Sequence, residues 1–308
     1  MSLRLLFAGT PDFAVPALRA LIQSGQVPVA VLTQPDRAAG RGRRVHSGPV
    51  KQLAVEAGIE VLQPERLGET GVAARLEALA PDLLITAAYG LLLPRWLLAL
   101  PRHGCWNLHA SLLPRWRGAS PINQAILHGD AETGVSLMEM EAGLDTGPVL
   151  AQAVTAIGPD ETAGELHDRL APMAAELLLK MLDRLAASTL PAARPQNADL
   201  ATHAPLIERA DALLDWGLAA GDLVRRVRAF NPWPVAFATL EGLQVRIFRA
   251  RPGGDVPDPA GTIVRGHGRR DAVVIACAAG SLEILELQEP GRKRVSAADW
   301  LNAHPDWR

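Results

Sequence analysis

The chain has 308 residues, of which 48% are hydrophobic and 21% are charged, so it is long enough for more than one domain and is not a disordered chain. Its net charge of -2 excludes a uniformly basic surface for nucleic acid, and any such contact would need a local patch. The two cysteines, Cys105 and Cys277, fit neither a metal motif nor a disulfide framework, which indicates a reducing cytoplasm. No apolar run approaches a membrane span, and the first residues lack the pattern of a signal peptide.

The first half of the chain alternates short apolar segments with helical patterns. Leu3–Ala8 is predicted to be a buried strand, followed by a helix that we expect to begin with Thr10 as its N-cap and to end at Gly25. Three later apolar segments, each followed by turn residues, are also predicted strands: Val27–Thr33, Leu83–Ala87 and Cys105–His109. This alternation predicts a doubly wound α/β domain.

A long helix closes this half. Thr162 and Glu165 have the spacing of a capping box, and apolar residues recur at helical spacing from Leu166 to Leu185, as in a helix packed on a core. Beyond Leu190, prolines and polar residues predict an irregular linker.

The second half of the chain has a different pattern of predicted elements. One helix is predicted at 219–229, and short strands follow at Ala236–Leu240, Gln244–Ala250, Gly261–Val264, Ala272–Cys277 and Leu282–Leu287. Five short strands separated by turn signals predict a small β-barrel.

The candidate chemistry begins at the end of the Cys105–His109 strand. Asn107 and His109 project to the same face, because side chains alternate along a strand. Ligands of open α/β sheets bind beyond the carboxyl ends of the strands. Downstream, Asp145 lies between Gly143 and Gly147, in a loop able to approach another strand end. An amide, an imidazole and a carboxylate suit acyl transfer to an amine, although an Asn-x-His at a strand end is also a common structural pattern.

In such a transfer, attack on a formyl carbonyl produces a tetrahedral intermediate with a negatively charged oxygen. Asn107 can donate a hydrogen bond to that oxygen, and His109 can donate a second if it is protonated, which a neighbouring Asp145 would favour. Asp145 can also help to remove the proton of the amine, directly or through water. Because α-amino groups titrate near about 7.7–8.0, the amine is partly neutral at pH 7, and neither a serine or cysteine nucleophile nor a metal is required.

Five segments spread along the chain are distinctive in combination. They are Phe7–Ala14 (FAGTPDFA), Thr33–Arg37 (TQPDR) continuing through Gly40–Gly42, Asn107–Gly118 (NLHASLLPRWRG), Gly143–Gly147 (GLDTG) and Phe230–Pro234 (FNPWP). In this order, over nearly the whole chain, they resemble motifs of the methionyl-tRNA formyltransferases. The resemblance implies an α/β, Rossmann-like formyltransferase domain with a mostly parallel sheet at 1–190, a linker at 191–207, and a small OB-like β-barrel domain that binds tRNA at 208–308.

The resemblance also implies the reaction. Members of this family transfer a formyl group from 10-formyltetrahydrofolate to the α-amino group of methionine on initiator tRNA, which gives N-formylmethionyl-tRNA for translation initiation. We therefore expect a cytoplasmic monomer whose partners are initiator methionyl-tRNA and the folate co-substrate, with no metal and no membrane. Two departures are visible: Leu206 occupies a position where the family has a lysine, and Pro148 one where an acidic or small residue is usual.

The same resemblance assigns residues to the site. The family's catalytic positions are occupied here by Asn107, His109 and Asp145. The folate-binding segment corresponds to Ser111, Leu112, Leu113 and Pro114, and the pterin pocket is expected at Ala88, Tyr89, Gly90 and Leu91.

Residues 36–51 are rich in arginine and glycine. From the residues alone this is a solvated basic loop; the resemblance implies the loop that enters the tRNA acceptor stem, with Arg41 as its main contact and Arg43 and Arg44 beside it. Further arginines on the predicted helix at 219–229 and near residues 292–294 are candidates for phosphate contacts.

Three other functions remain open at this stage. Glycinamide ribonucleotide formyltransferases share the Asn, His and Asp chemistry but are single domains. Formyltransferases of amino-sugar nucleotides have a second domain, but we do not expect the Gly40-Arg41-Gly42 loop in them. A tRNA-binding module without catalysis is the non-enzymatic alternative, against which the intact Asn107, His109 and Asp145 argue.

Overall fold

The structure is a computed structural model that describes residues 3–39, 44–69, 71–266 and 268–307. The chain forms two compact units. The first contains the residues up to Gly118 together with 133–155 and 167–204, and the second contains 119–132, 156–166 and 205–308. In this division the short segments 119–132 and 156–166 group with the second unit, and residues 191–204 group with the first.

The strands and helices of the described residues are as follows. The strands are β1 (Leu5–Gly9), β2 (Ala30–Leu32), β3 (Arg37–Ala39), β4 (Arg44–His46), β5 (Val61–Leu62), β6 (Leu83–Ala87), β7 (Cys105–His109), β8 (Arg117–Gly118), β9 (Glu132–Glu139), β10 (Val149–Ala156), β11 (His203–Ala204), β12 (Ala236–Leu240), β13 (Leu243–Gly253), β14 (Val273–Ala276), β15 (Ser281–Gln288) and β16 (Val295–Ser296). The α-helices are α1 (Val15–Gln23), α2 (Pro49–Glu56), α3 (Val72–Ala78), α4 (Arg95–Ala99), α5 (Pro121–Leu127), α6 (Ala163–Ala186), α7 (Ala220–Ala229) and α8 (Ala297–Ala303). No helix in these described ranges combines the length and the hydropathy needed to cross a membrane.

The first unit is built on one seven-stranded sheet, with the order β10-β9-β7-β6-β1-β2-β5. The strands from β5 to β7 are parallel, and β9 pairs antiparallel with β7. Every residue of β1, β2 and β6 is buried, which explains why these strands are continuous apolar runs rather than alternating ones. The carboxyl ends of β1, β6 and β7 therefore meet at one edge of the sheet. The predicted Rossmann-like fold is confirmed.

The segment after β1 corrects one prediction. Thr10 does not cap the following helix, which begins with a 3-10 turn at Asp12–Ala14 and continues into α1 without a side-chain cap. The Thr10 hydroxyl donates instead to the Tyr89 carbonyl at 3.1 Å and accepts from the Gln34 N–H at 3.2 Å. Thr10 thus links the ends of β1, β2 and β6. It does so because the three strand ends converge here, whereas the sequence predicted only the start of a helix. Gly25 does end α1, with the positive φ of 75° that favours glycine.

The predicted capping box of α6 is confirmed. The Thr162 hydroxyl accepts from the Glu165 N–H at 3.2 Å, and the Glu165 carboxylate accepts from the Thr162 N–H at 2.8 Å. Both partners satisfy backbone donors that the first turn of a helix leaves open.

The expected linker is less irregular than its composition suggests. Arg194 and Val149 exchange two backbone hydrogen bonds, and β11 pairs in parallel with β8. The linker residues up to Ala204 consequently belong to the first unit.

The second unit contains a five-stranded antiparallel sheet with the order β12-β13-β15-β14, in which β16 also pairs with β15. Its core includes Leu223, Val227 and Phe230 with Ile247 and Leu282. The OB-like fold is confirmed. No strand forms at the predicted Gly261–Val264, although this segment is joined to β14 by an isolated bridge from Ile263 to Ile275 and by backbone hydrogen bonds to Val274 and Ala276. The sequence analysis also missed β16 and α8.

Candidate active site

The carboxyl end of β7 carries the first two candidate residues. Asn107 and His109 lie on one face of the strand, and His109 is only 6% exposed. Asp145 lies in the loop between β9 and β10, with both of its carboxylate oxygens directed at this strand end. The fold thus brings together the three residues that the sequence proposed for catalysis.

A hydroxyl from the neighbouring strand orients the Asn107 amide. Thr86 in β6 donates to Asn107 Oδ1 at 2.8 Å, so Nδ2 faces Asp145 Oδ1 at 3.4 Å. An ionised carboxylate only accepts, which agrees with this orientation. The second hydrogen on Nδ2 has no acceptor among the described residues and can be donated to a substrate oxygen.

His109 is held through both of its ring nitrogens. Nε2 lies 2.8 Å from the Trp116 carbonyl, which only accepts, so the proton is on Nε2. Nδ1 lies 3.6 Å from Asp145 Oδ2. Nδ1 is therefore the ring nitrogen that faces the carboxylate.

Three glycines make the position of Asp145 possible. The Gly118 N–H donates to Asp145 Oδ2 at 2.9 Å, and a Cβ on Gly118 would lie 2.5 Å from the Ala204 carbonyl oxygen. A Cβ on Gly147 would lie 1.8 Å from the Glu139 carbonyl oxygen, and one on Gly143 would lie 2.2 Å from the Thr146 hydroxyl. Asp145 itself has a φ of 52°, in the left-handed region that is uncommon outside glycine. Such strained positions are typical of functional sites.

The predicted folate-binding segment 111–114 is fixed by side chains around it. The Ser111 hydroxyl donates to the Arg115 carbonyl at 2.6 Å. Ser136 in β9 donates to the Ser111 carbonyl at 2.6 Å and accepts from the Leu113 N–H at 3.0 Å. Leu112 and Pro114 are only partly buried, and the Leu113-Pro114 peptide bond is cis. These hydrogen bonds hold the backbone of the segment in place directly after β7.

The predicted pterin segment, 88–91, follows β6. Ala88 and Gly90 have φ values of 46° and 84°, and the Tyr89 carbonyl accepts from Thr10 and Gln34. The Tyr89 side chain is buried in the core, which raises the pKa of its hydroxyl to about 12. Since this side chain is occupied in the core, the segment can offer a ligand mainly its backbone and the side chain of Leu91.

The basic segment contains a short hairpin, in which β3 and β4 pair antiparallel, rather than a simple flexible loop. The candidate tRNA contacts Arg41 and Arg43 lie outside the described residues, and Arg44 begins β4. The base of the hairpin is closed by an ion pair of 2.5 Å between Lys51 Nζ and Asp36 Oδ2, and the Lys51 contact holds the pKa of Asp36 below its ordinary value.

Sequence reasoning missed several groups that build the site. Thr86 orients Asn107, Gly118 holds Asp145, and the Trp116 carbonyl fixes the His109 ring. A polar residue inside the apolar run of β6 is a signal that could have identified Thr86. A backbone carbonyl offers no signal in the sequence.

Solved structures with the same fold include an N-formyltransferase and a protein in complex with tetrahydrofolic acid. The N-formyltransferase of Helicobacter canadensis, in complex with folinic acid and dTDP-3-aminofucose, has a TM-score of 0.65 at 16% identity, covering 92% of this chain and 98% of that one. HypX of Aquifex aeolicus in complex with tetrahydrofolic acid has a TM-score of 0.62 at 20% identity, covering 98% of this chain and 47% of that one. At these identities the similarity concerns the fold.

The sequence comparisons are closer. Residues 2–182 match the family model of the formyl transferases, and residues 206–305 match that of the formyl transferase C-terminal domain. The methionyl-tRNA formyltransferase of Methylococcus capsulatus is 54% identical over 303 residues, which cover 98% of this chain and 97% of that one. The chain therefore belongs to the methionyl-tRNA formyltransferase family.

Proposed function

We propose that this protein transfers a formyl group from 10-formyltetrahydrofolate to the α-amino group of methionine on initiator tRNA. One observation carries the proposal: Asn107, His109 and Asp145 converge at one strand end, within a chain that is 54% identical over nearly its full length to a methionyl-tRNA formyltransferase. The product is N-formylmethionyl-tRNA, the aminoacyl-tRNA of translation initiation.

The folate co-substrate fits the groups around this strand end. The strained backbone at Ala88 and Gly90 follows β6, and the segment 111–114 follows the neighbouring strand β7, so the two segments lie beyond the carboxyl ends of adjacent parallel strands. These two segments would hold the folate, which supplies the formyl group as an electrophile. The unused Asn107 N–H is a donor for the formyl oxygen, and His109 lies on the same face of β7.

The chain's own residues stabilise the charge that develops during transfer. The free Nδ2 hydrogen of Asn107 donates to the formyl oxygen as it becomes negative. Because Trp116 already holds Nε2 of His109, Nδ1 is the ring nitrogen available to the substrate. Nδ1 lies 3.6 Å from Asp145 Oδ2, which is longer than a good hydrogen bond, so an Nδ1 that carries a proton can share it with a substrate oxygen.

Asp145 acts on the attacking amine. Its Oδ2 accepts from Gly118 and its Oδ1 faces Asn107, and each oxygen retains a lone pair for the amine proton or for a bridging water. Methionine's α-amino group is partly neutral at pH 7, so a carboxylate is a sufficient base and no metal has a step to perform.

The finer points of the proposal concern the donor, the assembly and the compartment. The 10-formyl form is the donor that the resemblance to the family implies, and its formyl carbon is one that an amine can attack directly. One chain supplies all three catalytic residues, which supports a working monomer. Cys105 and Cys277 are both buried free thiols, as expected in a reducing cytoplasm.

The tRNA is proposed to meet the hairpin between Asp36 and Lys51. The segment from Asp36 to Lys51 includes Arg41, Arg43 and Arg44 in its sequence, and the Lys51–Asp36 ion pair joins its two ends. Arginines suit bidentate contacts with phosphates and with base edges.

The test is incorporation of labelled formyl groups into different amine acceptors. Wild-type protein with 10-formyltetrahydrofolate is given initiator methionyl-tRNA, elongator methionyl-tRNA, an amino-sugar nucleotide or glycinamide ribonucleotide, with Asp145→Asn as the control of strongly lowered rate. Preferred formylation of initiator methionyl-tRNA is expected. Faster formylation of the sugar nucleotide would replace this proposal with the sugar alternative, and tRNA binding without any formylation would leave the non-catalytic module.

A further inference from the structure

Gln196, in the segment that follows the long helix α6, reaches the loop that carries Asp145. Its Nε2 donates to the Asp145 carbonyl at 2.9 Å and to the Gly147 carbonyl at 2.7 Å. Its Oε1 accepts from Arg117 Nε at 3.0 Å and from Arg117 Nη2 at 2.8 Å. Both amide hydrogens and both lone pairs of the amide oxygen are therefore used.

Arg117 determines which way this amide is turned. A guanidinium only donates, so it can face only the oxygen of the amide, and the NH2 group must then face the Asp145 loop. Arg117 is itself held in β8, which pairs with β11, and the Trp116 N–H next to it donates to the Thr202 hydroxyl at 2.8 Å. The segment from Gln196 to Ala204 is thus attached to the catalytic motif at several points.

The loop from Gly143 to Gly147 needs such support. Two of its residues are glycines, Leu144 is half-exposed, and Asp145 is held at a φ of 52°. Gln196 bonds the carbonyls of residues 145 and 147, on either side of Thr146, and so restrains the backbone from which the catalytic carboxylate projects. The 2.9 Å contact of Asp145 with Gly118 restrains only the side chain.

We propose that Gln196 is a positioning residue for Asp145: it holds the backbone of the catalytic loop so that the carboxylate faces His109 and Asn107. This inference rests on the proposed function. It assigns a role in the transfer step, not in folate or tRNA binding, to a residue of the segment between α6 and β11 in the first unit.

The experiment compares three variants of the full-length chain. Gln196→Leu removes every hydrogen bond of the amide. Gln196→Glu keeps the partner of Arg117 but turns a carboxylate toward the two loop carbonyls. Asn197→Ala is the matched control, because the neighbouring Asn197 is exposed and its side chain bonds, among the described residues, only the N–H of Asp199 in its own turn.

We expect kcat to fall by about tenfold to 100-fold in both Gln196 variants, as for a misplacement of about 1 Å in a catalytic group. The KM values for 10-formyltetrahydrofolate and methionyl-tRNA should stay within about twofold of wild type, and Asn197→Ala should leave all three constants within the same range. Far-UV circular dichroism and the Tm confirm that each variant is folded. Loss of kcat in Gln196→Glu is diagnostic, since that change preserves the Arg117 contact.

A double-mutant cycle with Asp145→Asn, measured under single-turnover conditions, decides whether Gln196 acts through Asp145. If it does, Gln196→Leu adds less than about twofold to the loss in the Asp145→Asn background. A fully additive loss, a change confined to KM, or wild-type kcat in a folded Gln196→Leu protein would each overturn the assignment. Failure of the proposed function is separate, because the wild-type protein would then not formylate methionyl-tRNA; the same variants are in that case measured with the acceptor that it does use.

Discussion

Thr86 illustrates how one hydroxyl selects the chemistry of a neighbouring group. An amide can face a substrate with either its oxygen or its nitrogen, and only the nitrogen can stabilise a negative oxygen. Thr86 donates to Asn107 Oδ1 on one side and Asp145 accepts on the other, so the two contacts favour the same orientation. A side chain on the neighbouring strand thereby decides what Asn107 can donate.

Replacing Thr86 with valine tests this. Thr86→Val preserves the shape but removes the donor, and the amide then loses one of the two contacts that orient it. We expect kcat to fall by about two- to tenfold, the value of one net hydrogen bond, with little change in either KM. Wild-type kcat in this variant would show that Asp145 alone suffices to turn the amide.

The three residues proposed for catalysis should behave alike in kinetics. Asn107→Ala, His109→Ala and Asp145→Ala each remove a contact that strengthens in the transition state, so each lowers kcat much more than it raises KM. Loss of one donor to a developing negative charge corresponds to about 2.7–4 kcal/mol of activation free energy. Steady-state kinetics on initiator methionyl-tRNA provides the measurement, and near-wild-type turnover in any variant removes that residue from the mechanism.

At the scale of elements, the N-terminal cap of α6 contains the charged carboxylate of Glu165. Glu165 accepts hydrogen bonds from the backbone N–H and the hydroxyl of Thr162, which hold the pKa of its carboxyl below the ordinary value. A carboxylate at a helix N-terminus also interacts favourably with the helix dipole. The stability that this cap contributes to the protein therefore depends on pH.

The sign of this dependence can be tested with Glu165→Gln. A carboxyl whose pKa is lowered by folding stabilises the protein above its pKa in the unfolded chain and loses this contribution as pH falls through the folded-state pKa. We expect the variant to be less stable at pH 7 by about 0.3–1 kcal/mol, because glutamine caps without a charge. The difference in Tm from wild type should shrink below about pH 4. Glu176→Gln, on the exposed side of the same helix, is the control, and a difference that persists at low pH would contradict the charge argument.

At the scale of the molecule, the two units are not two consecutive stretches of chain. Residues 119–132 and 156–166 lie in the second unit, where Asn123 Nδ2 donates to the Ala229 carbonyl at 2.7 Å and the Gly164 N–H donates to the Asn231 carbonyl at 3.0 Å. Conversely, residues 191–204 belong to the first unit. A chain ended at residue 190 would leave α5 without α7 and would also lack Gln196, so single-site variants dissect the protein better than truncation.

Arg41→Ala tests the proposed contact of Arg41 with tRNA. An arginine that reaches a base edge contributes about 1–3 kcal/mol to discrimination, so we expect kcat/KM for initiator methionyl-tRNA to fall and the preference over elongator methionyl-tRNA to weaken. The KM for folate should not change. If Arg43 contacts only phosphates, Arg43→Ala should weaken the binding of both tRNAs equally and reduce the salt dependence of that binding. Arg19→Ala, at an exposed position of α1, controls for the loss of one positive charge. A raised folate KM with unchanged tRNA constants would assign the hairpin to the folate site.

The sequence by itself determined the elements whose signals are local. β6 and β7 begin and end at the predicted residues, because a buried parallel strand is a short apolar run bounded by turn residues. The α6 cap and the end of α1 at Gly25 were likewise readable, since a cap is made by residues within a few positions of each other. The motifs also located Asn107, His109 and Asp145, although their proximity could not be seen in the sequence.

Only the tertiary structure decided how those residues are held. Thr10 bonds Tyr89 instead of capping a helix, Gly118 bonds Asp145 from 27 residues away, and Gln196 does so from 51. β16 and α8 were missed, and the strand predicted at 261–264 did not form, since pairing and burial rather than local propensity decide short segments of a small sheet. Contacts between distant residues leave no periodic pattern in a single sequence, and they form only once folding has brought the strand ends together.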